Sequence, residues 1–244
     1  DLVWNRDYSL NLNKQIFSVN SIDGRLKIPF EIKSKEIYFD GTWSFGTAKL
    51  VYKFNKFFLH IPVSKEYSEF DYTKCNQIVG VDLGINFLAS TFDSNDKTIF
   101  FNGKHIKNKR AQFSKTRKEL QQVKTPSSRK RLKAIGSREN RWVTDINHQV
   151  TKALVEKYGS NTLFVLEDLT GIRNSTEKVR KNNRYISVSW AFYQFREMLE
   201  YKANLIGSKV IFVDPKYTSQ TCPKCGHVER ANRNKKAHTF KCKT

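Results

Sequence analysis

Two carboxylates stand at apolar segments that have the pattern of β-strands. Asp82 lies within the apolar run 78–84, and Glu167 ends the run 163–166. An ionised carboxylate that is buried without a partner costs several kcal/mol, or its pKa rises until the group is neutral. Asp82 therefore requires a compensating partner.

The glycines beside Asp82 bear on the same question. Side chains alternate along a strand, so Gly80, Asp82 and Gly84 share one face, and that face has little bulk around the acid. A large anionic backbone could approach there. An Asp that begins a turn at a strand end explains the isolated pattern Val-Asp-X-Gly equally well. The second acid, Glu167, favours a site.

Paired acids on neighbouring strands predict a site for divalent cations, because sites in open α/β sheets form beyond the carboxyl ends of parallel strands. Mg²⁺ prefers oxygen ligands and suits phosphate chemistry. Asp82 and Glu167 thus indicate metal-assisted phosphodiester hydrolysis, with two ions about 3.5–4 Å apart in its two-metal form. A third carboxylate is expected. Parity puts Asp168 on the face opposite to Glu167, and both Asp168 and Asp214, which precedes Pro215, are interpreted as turn residues.

Three of the four cysteines lie near the end of the sequence. Cys222-Pro-Lys-Cys225 has the spacing of a zinc knuckle, and Cys242 supplies a third thiolate. The fourth ligand has two candidates: a second C-x-x-C whose last sulfur would follow Thr244, or His238. The stretch before His238 lacks the apolar positions of a finger helix, which favours a zinc ribbon. Zinc is favoured over a redox pair because no thioredoxin-like βαβ pattern surrounds the motif.

The N-terminal part of the chain alternates apolar and polar residues over 15–63, which predicts antiparallel strands. Asp23-Gly24 and Asn55-Lys56 stand where hairpin turns belong. We expect a small antiparallel barrel or sheet, separated from the C-terminal part of the chain by the polar stretch 64–74.

The segments after residue 75 predict an α/β domain. Three successive strand patterns, ending with 97–101, predict a β-meander. A long helix ending at Gly159, the strand before Glu167, a helix ending at Gly207 and a strand at 209–213 follow in that order. A meander extended by parallel strands is the RNase H-like arrangement, a fold that often carries nucleases.

The formal charge of +21 over 244 residues predicts a polyanionic partner. A membrane surface is disfavoured because the sequence has neither a basic amphipathic anchor nor an apolar span of about 18 residues. Residues 104–141 hold 14 Lys or Arg and two acids, a net charge of +12, and a second basic segment follows at 173–184. A merely solvated face would intersperse more acids. The candidates for phosphate contacts are Arg129, Lys130, Arg131, Lys133, Arg138 and Arg141.

Several segments together resemble one family. They are Gly80-Val-Asp-Leu-Gly-Ile, Asn140-Arg-Trp with Asn147-His148, Phe164-Val-Leu-Glu-Asp-Leu, Leu199-Glu-Tyr-Lys-Ala with Gly207, and Tyr217-Thr-Ser-Gln-Thr-Cys-Pro-Lys-Cys-Gly. In these the sequence resembles TnpB, the transposon-encoded RNA-guided DNA endonucleases related to type V CRISPR effectors. The resemblance covers about residues 75–244 strongly and the N-terminal β region more weakly.

The resemblance implies an RNase H-like (RuvC) nuclease domain over 75–221 with a basic helical insert at 104–141. It also implies an N-terminal antiparallel β-barrel (wedge-like) domain over 1–74 and a zinc ribbon over 222–244. Asp82 and Glu167 would be two of three catalytic, Mg²⁺-binding acids, and Cys222, Cys225 and Cys242 three of four ligands of a structural Zn²⁺. We expect the third acid and the fourth ligand beyond Thr244, in a longer protein.

The family further implies a guide RNA, a target double-stranded DNA and a cytoplasmic location, in line with cysteines that indicate a reducing compartment. The leading hypothesis is an RNA-guided, Mg²⁺-dependent DNA endonuclease. Two alternatives stay open: a nuclease-inactive RNA-guided protein that acts by occupying DNA, and a zinc-containing nucleic-acid-binding protein without a guide. Base pairing would choose the target, and phosphate contacts by the basic insert would hold the heteroduplex.

Overall fold

A computed structural model of the chain describes residues 1–31, 36–53, 55–84, 86–169, 191–234, 237 and 239–244. The chain divides into two compact units, Asp1–Ser68 and Glu69–Thr244, and each is described by itself.

The N-terminal unit is built from short antiparallel strands. They are β1 (Tyr8–Asn11), β2 (Ile16–Ser21), β3 (Gly24–Pro29), β4 (Ser44–Phe45), β5 (Lys49–Lys53), β6 (Lys56–His60) and β7 (Val63–Ser64). They pair in the orders β1-β2-β3, β4-β7 and β5-β6. The antiparallel pairing agrees with the sequence pattern. Because the described strands form three separate sheets, closure into a barrel stays a prediction.

Both predicted hairpin turns are present. Gly24 begins β3 with φ +101°, a left-handed conformation that glycine adopts without steric cost. Asn55 lies between β5 and β6 with φ 57°, which asparagine tolerates better than most residues. The apolar core of this unit consists of Tyr8, Phe17, Val19 and Ala48, with partly buried neighbours around it. It does not include the outer strands, since all of β3 and most of β5 and β6 are exposed.

The C-terminal unit contains a five-stranded sheet and three described helices. The elements are β8 (Gln77–Asp82), β9 (Phe87–Asp93), β10 (Thr98–Asn102), α1 (Lys104–Val123), α2 (Pro126–Tyr158), β11 (Thr162–Glu167), α3 (Phe192–Leu205) and β12 (Lys209–Val213). The sheet order is β10-β9-β8-β11-β12. The meander β8-β9-β10 is antiparallel, and β11 runs parallel to both β8 and β12.

Helices α1 and α2 are joined by a short link with clear end signals. Lys124 ends α1 in the left-handed region with φ 55°, and Thr125 caps α2 by accepting the backbone N–H of Ser128 at its side chain. Pro126 takes the first helical position, where a missing N–H costs nothing. Helix α2 continues through residue 141 without a break, so the predicted end of the basic insert is not the end of a helix.

One face of the sheet is buried beneath the helices. Val79 and Val81 of β8 and Leu166 of β11 are nearly inaccessible and share a core with Leu154 of α2 and Leu199 of α3. Because side chains alternate along a strand, the residues between them lie on the opposite face. Asp82 and Glu167 belong to that opposite face.

A short segment after β12 completes the described unit. It contains the two-stranded sheet of β13 (Arg233–Asn234) and β14 (Thr239–Phe240).

Short 3₁₀ turns occur at Glu36–Phe39, Tyr72–Lys74 and Arg230–Asn232. Among the described residues, every helix is too short or too polar to cross a membrane.

Candidate active site and metal centre

Asp82 and Glu167 end two neighbouring parallel strands at the same level. Val81 of β8 pairs with Leu166 of β11, so the next residue on each strand is one of the two acids. Adjacent strands lie about 4.8 Å apart, and residues at the same level of a parallel pair point to the same face. Both side chains also line one open cleft of about 510 Å³. The fold therefore brings the two predicted acids together.

The cleft is mostly apolar around these acids. Its lining comprises Gly80, Val81, Asp82, Ser90, Thr91, Phe92, Thr98, Val165, Leu166, Glu167, Val213 and Thr218. Gly80 lies opposite Phe92 of β9, and a Cβ placed on Gly80 would meet only the Phe92 carbonyl oxygen, at 3.7 Å. Phe92 is 56% exposed, so its ring is accessible beside the acids.

Two details of the sequence interpretation were wrong. Asp82 is exposed at the end of β8, so the expected cost of burying its charge does not arise. Gly84 lies beyond the strand and does not extend its face. A Cβ on Gly84 would meet the Phe87 carbonyl oxygen at 3.0 Å, so a side chain at this position would crowd the first residue of β9.

Glu167 is half-buried and held by a hydroxyl group. The Thr218 hydroxyl, from the loop after β12, donates to Glu167 Oε1 at 2.6 Å. Among the residues that the structure describes, neither Glu167 nor Asp82 forms an ion pair with a Lys or Arg. Two carboxylates on one open cleft, without a neighbouring cationic side chain in the described chain, form a donor set that suits a hard divalent cation.

Asp168 has a role that the sequence analysis missed. Its carboxylate accepts from Arg196 Nη1 of α3 at 2.9 Å, and its backbone N–H donates to the Val213 carbonyl at 2.8 Å. The Arg196 guanidinium also lies 3.4 Å from the ring centroid of Phe212. Arg196 thus connects α3 to the C-terminal ends of β11 and β12. Parity gave the face of Asp168 but could not reveal this partner, which is 28 residues away in the sequence.

Asp214 has the turn role that was predicted for it. Its carboxylate accepts the backbone N–H of Lys216 at 2.9 Å, which closes a turn directly after β12.

The three C-terminal cysteines converge. The sulfur atoms of Cys222, Cys225 and Cys242 lie within 4.8 Å of one another, and those of Cys225 and Cys242 are 3.6 Å apart. Backbone N–H groups of Cys225 and Lys224 donate to the Cys222 sulfur and lower its pKa to about 7. Three thiols that lie this close, one with its thiolate form stabilised, are consistent with a structural zinc site. His238, the alternative ligand, lies outside the described residues.

The six candidate phosphate-binding residues all lie on α2 and are exposed. Arg141 Nη1 donates to Ser137 Oγ at 2.6 Å. The second basic segment, 173–184, lies outside the described residues. The charged side chains of this accessible helix could hold a polyanionic backbone, because contacts to phosphates do not depend on the base sequence of the nucleic acid.

A buried ion cluster joins α1 to α2. Glu139 of α2 is 3% exposed and forms ion pairs with Arg110 and Arg117 of α1. Burial lowers the pKa of Arg110, and the charge of Glu139 opposes that shift. From the sequence alone, Glu139 is only one of two acids in a basic segment, since no local pattern distinguishes a buried acid from an exposed one.

Comparison with known families gives two matches that follow one another along the chain. Residues 60–176 match the OrfB family described as a probable transposase, and residues 192–244 match the Cas12f1-like TNB domain. The chain belongs to the TnpB/OrfB family, which is related to Cas12f. The resemblance seen in the motifs is therefore confirmed.

Individual relatives are distant and longer. The chain is 30% identical over 204 residues to the CRISPR-associated endodeoxyribonuclease Cas12f1 of Sulfoacidibacillus thermotolerans, covering 78% of this chain and 46% of that protein. It is 34% identical over 149 residues to the TnpB-like protein MJ0751 of Methanocaldococcus jannaschii, covering 58% and 53%. It is 27% identical over 184 residues to the putative RNA-guided DNA endonuclease InsQ of Escherichia coli K12, covering 68% and 44%. The chain thus spans about half the length of these relatives.

A solved structure shares the fold. The chain matches the protein in the cryo-EM structure of a Cas12f1–sgRNA–target DNA complex with a TM-score of 0.50 at 14% identity, over 80% of this chain and 52% of that one. The fold is therefore Cas12f-like: mixed α/β, with a sheet that contains parallel strands and a C-terminal cysteine cluster.

Proposed function

We propose that the intact protein is an RNA-guided, Mg²⁺-dependent DNA endonuclease of transposon origin, with a RuvC-type nuclease site at Asp82 and Glu167. The observation that carries the proposal is the register of β8 and β11, which sets these acids side by side on one accessible cleft. The family supports it, because relatives at about 30% identity are named RNA-guided DNA endonucleases or Cas12f1 endodeoxyribonucleases.

Asp82 and Glu167 would hold the catalytic Mg²⁺, whose chemistry in a two-metal site is to activate a water and to stabilise the leaving oxygen of a phosphodiester. The chain's own groups prepare that site. Thr218 donates to one oxygen of Glu167 and so fixes the direction of the other. Gly80 leaves room beside Asp82 for a phosphate backbone. The third acid expected from the family is part of this proposal.

The rest of the chain would bind and position the nucleic acids. The exposed cations of α2, Arg129 to Arg141, would contact backbone phosphates of a guide RNA–target DNA duplex, and base pairing would choose the target. Zinc at Cys222, Cys225 and Cys242 would have a structural role, because converging cysteine thiolates are the usual ligands of structural zinc sites. A reducing cytoplasm would keep the thiols available to the metal.

The test is reconstitution of the intact protein with the RNA that copurifies with it. The RNA is sequenced, and a DNA duplex that matches its variable end is offered with Mg²⁺, alongside a mismatched duplex as the control. The proposal predicts cutting of the matched duplex only, and loss of cutting in Asp82→Ala with RNA binding retained.

Three outcomes would overturn the proposal. Cutting by Asp82→Ala at the wild-type rate would remove the catalytic assignment. Guided DNA binding without any cutting would indicate a protein that acts by occupancy. Copurification of heterogeneous RNA without a discrete species would favour a nucleic-acid binder without a guide.

A further inference from the structure

The sheet face that carries the two cleft acids also carries a row of four other residues. From β11 to β10 the row consists of Val165, Gly80, Phe92 and Thr98, each paired with the next. Paired residues of neighbouring strands share a face, so the four side-chain positions lie side by side. Each acid lies two residues further along its strand than this row, a separation of about 6.8 Å.

Gly80 leaves a gap in this row that the fold itself does not require. Its φ lies outside the left-handed region, and a Cβ there would meet the Phe92 carbonyl oxygen at 3.7 Å, an ordinary contact. Within the described ranges, no side-chain atom of a neighbouring strand comes within 4 Å of that position, so the Phe92 ring does not fill the gap. Glycine is disfavoured inside a strand and often marks the close approach of a ligand.

Phe92 stands beside the gap with its ring accessible. It is 56% exposed and lies outside the apolar core, which is on the other face of the sheet. Phe92, Gly80 and both acids line the same cleft of about 510 Å³, which is large enough for a nucleotide. Thr98 brings a hydroxyl group to the same cleft. An aromatic face with a polar group at its side is the chemistry that recognises a nucleobase.

A second phenylalanine on the same face shows that exposure alone is not the signal. Phe100 of β10 is 58% exposed and pairs with Ser90, which in turn pairs with Asp82. Its ring centroid lies 5.0 Å from that of Phe87, and it is not among the described residues that line the cleft. Phe92 and Phe100 thus share residue type, face and exposure, and differ in access to the cleft.

We propose that Gly80 and Phe92 form a slot for one nucleobase of the DNA strand that is cut, next to the scissile phosphate. The inference rests on the proposed function, which puts that phosphate at Asp82 and Glu167. The separation of the two rows is comparable to the reach of one nucleotide from its phosphate to its base. The base would stack on the Phe92 ring over the gap at Gly80, and so hold the phosphate in place at the metal site.

Photochemical cross-linking tests the slot without depending on cutting. A short single-stranded DNA with one iodouracil, moved through every position in turn, is irradiated with the intact protein and its copurified RNA. Iodouracil forms a covalent bond to an aromatic ring that stacks on it, and mass spectrometry locates the modified residue. We expect modification of Phe92, loss of that adduct in Gly80→Val, and retention in Phe100→Ala. Valine suits a strand and fills the gap.

Cutting kinetics give a second measurement. Phe92→Ala should lower kcat/KM for the matched DNA by roughly fivefold to a hundredfold, the range for losing one stacked base. Phe92→Tyr, which keeps the ring, and the control Phe100→Ala should cut like the wild type. An abasic sugar at the cross-linked position should slow the wild type to a similar extent and should not slow Phe92→Ala further. Mn²⁺ binding should be unchanged in Phe92→Ala, since the acids are intact.

The slot would be contradicted if no position of the probe modified Phe92, or if the alanine variant and the abasic sugar gave additive losses. Equal losses of stability in Phe92→Ala and Phe100→Ala, with normal cutting in both, would show that this face packs against protein instead. A wild type that is modified at Phe92 but cuts no DNA would contradict only the proposed function. A guided nuclease without the Phe92 adduct would contradict only the slot.

Discussion

Three acids of the C-terminal unit show two ways in which one fold accommodates a carboxylate. Glu139 is buried between α1 and α2, with Arg110 Nε 3.5 Å from its Oε1 and Arg117 paired with its other oxygen. Asp82 and Glu167 lie at strand ends on an accessible cleft, and the described residues place no Lys or Arg in an ion pair with either.

The difference separates structural charge from charge that is available to a ligand. A buried carboxylate must be compensated inside the protein, because desolvation costs several kcal/mol. Glu139 meets that requirement with two guanidinium groups and so has none of its charge left for an outside cation. Exposed Asp82 and half-buried Glu167 lie at one level of the sheet, and a bound cation would relieve their mutual repulsion. A divalent cation is that partner in the proposed function.

The largest effect is expected from substituting either of the two acids on the cleft. Asp82→Asn or Glu167→Gln in the intact protein should lower guided DNA cutting by about a thousandfold or more, because several kcal/mol of charge stabilisation are lost. Single-turnover cleavage with saturating RNA measures this. The matched control is Asp214→Asn, an exposed acid after the neighbouring strand, which should cut like the wild type. Similar losses in all three variants would remove the distinction between Asp214 and the two site acids.

On the buried side, Glu139→Gln should lower the free energy of unfolding by about 3–5 kcal/mol, since Arg110 would stay buried with its charge uncompensated. Urea denaturation followed by circular dichroism measures the change. Glu119→Gln alters the other acid of the basic segment, which is exposed, and should change stability by no more than about 0.5 kcal/mol. Equal stability of the two variants would contradict a structural role for Glu139.

Zinc binding by the cysteine cluster should depend neither on the two cleft acids nor on Glu139. Cys222→Ser is predicted to lower zinc affinity by at least about tenfold and to reduce the thermal stability of the C-terminal segment. Zinc content by atomic absorption, together with a thiol-exposure assay, checks this. Asp82→Asn should retain the wild-type zinc content. If Asp82→Asn lost zinc as well, the oxygen and sulfur sites would not be separate.

Substitutions of the exposed cations of α2 are expected to have the smallest effect per residue, and that effect is on nucleic-acid binding. Replacing Arg129, Lys130 and Arg131 together by Gln should weaken duplex binding and reduce its logarithmic salt slope by up to about three, one for each lost phosphate contact. Binding titrations across a salt series give the slope. Lys14→Gln, an exposed lysine of the other unit, is the control and should leave the slope unchanged. An unchanged slope in the triple variant would show that this surface does not bind phosphates.

Local pattern predicted the parts of the molecule that depend on neighbours in sequence. The meander followed from alternation, the hairpin turns from Gly24 and Asn55, and the cysteine cluster from the spacing of Cys222 and Cys225. Helix ends at Gly159 and Gly207 followed from glycine, which takes positive φ at both. These features are fixed by steric preferences that act over a few residues.

The remaining features depend on contacts between distant segments. The exposure of Asp82 was mispredicted because an apolar run does not show where its strand ends. Arg196 meets Asp168 across 28 residues, and Arg117 meets Glu139 across 22. No periodicity identifies such partners, since packing of helix on sheet and of helix on helix selects them.

Metal binding tests the central claim most directly, namely that Asp82 and Glu167 together hold a divalent cation. Mn²⁺, which favours the same oxygen ligands as Mg²⁺, can be titrated into the wild type, Asp82→Asn, Glu167→Gln and the double variant, with bound metal followed by electron paramagnetic resonance. We predict that either single change weakens binding nearly as much as both together, because the acids act as one site. Independent, additive losses, or binding unchanged in the double variant, would contradict the claim.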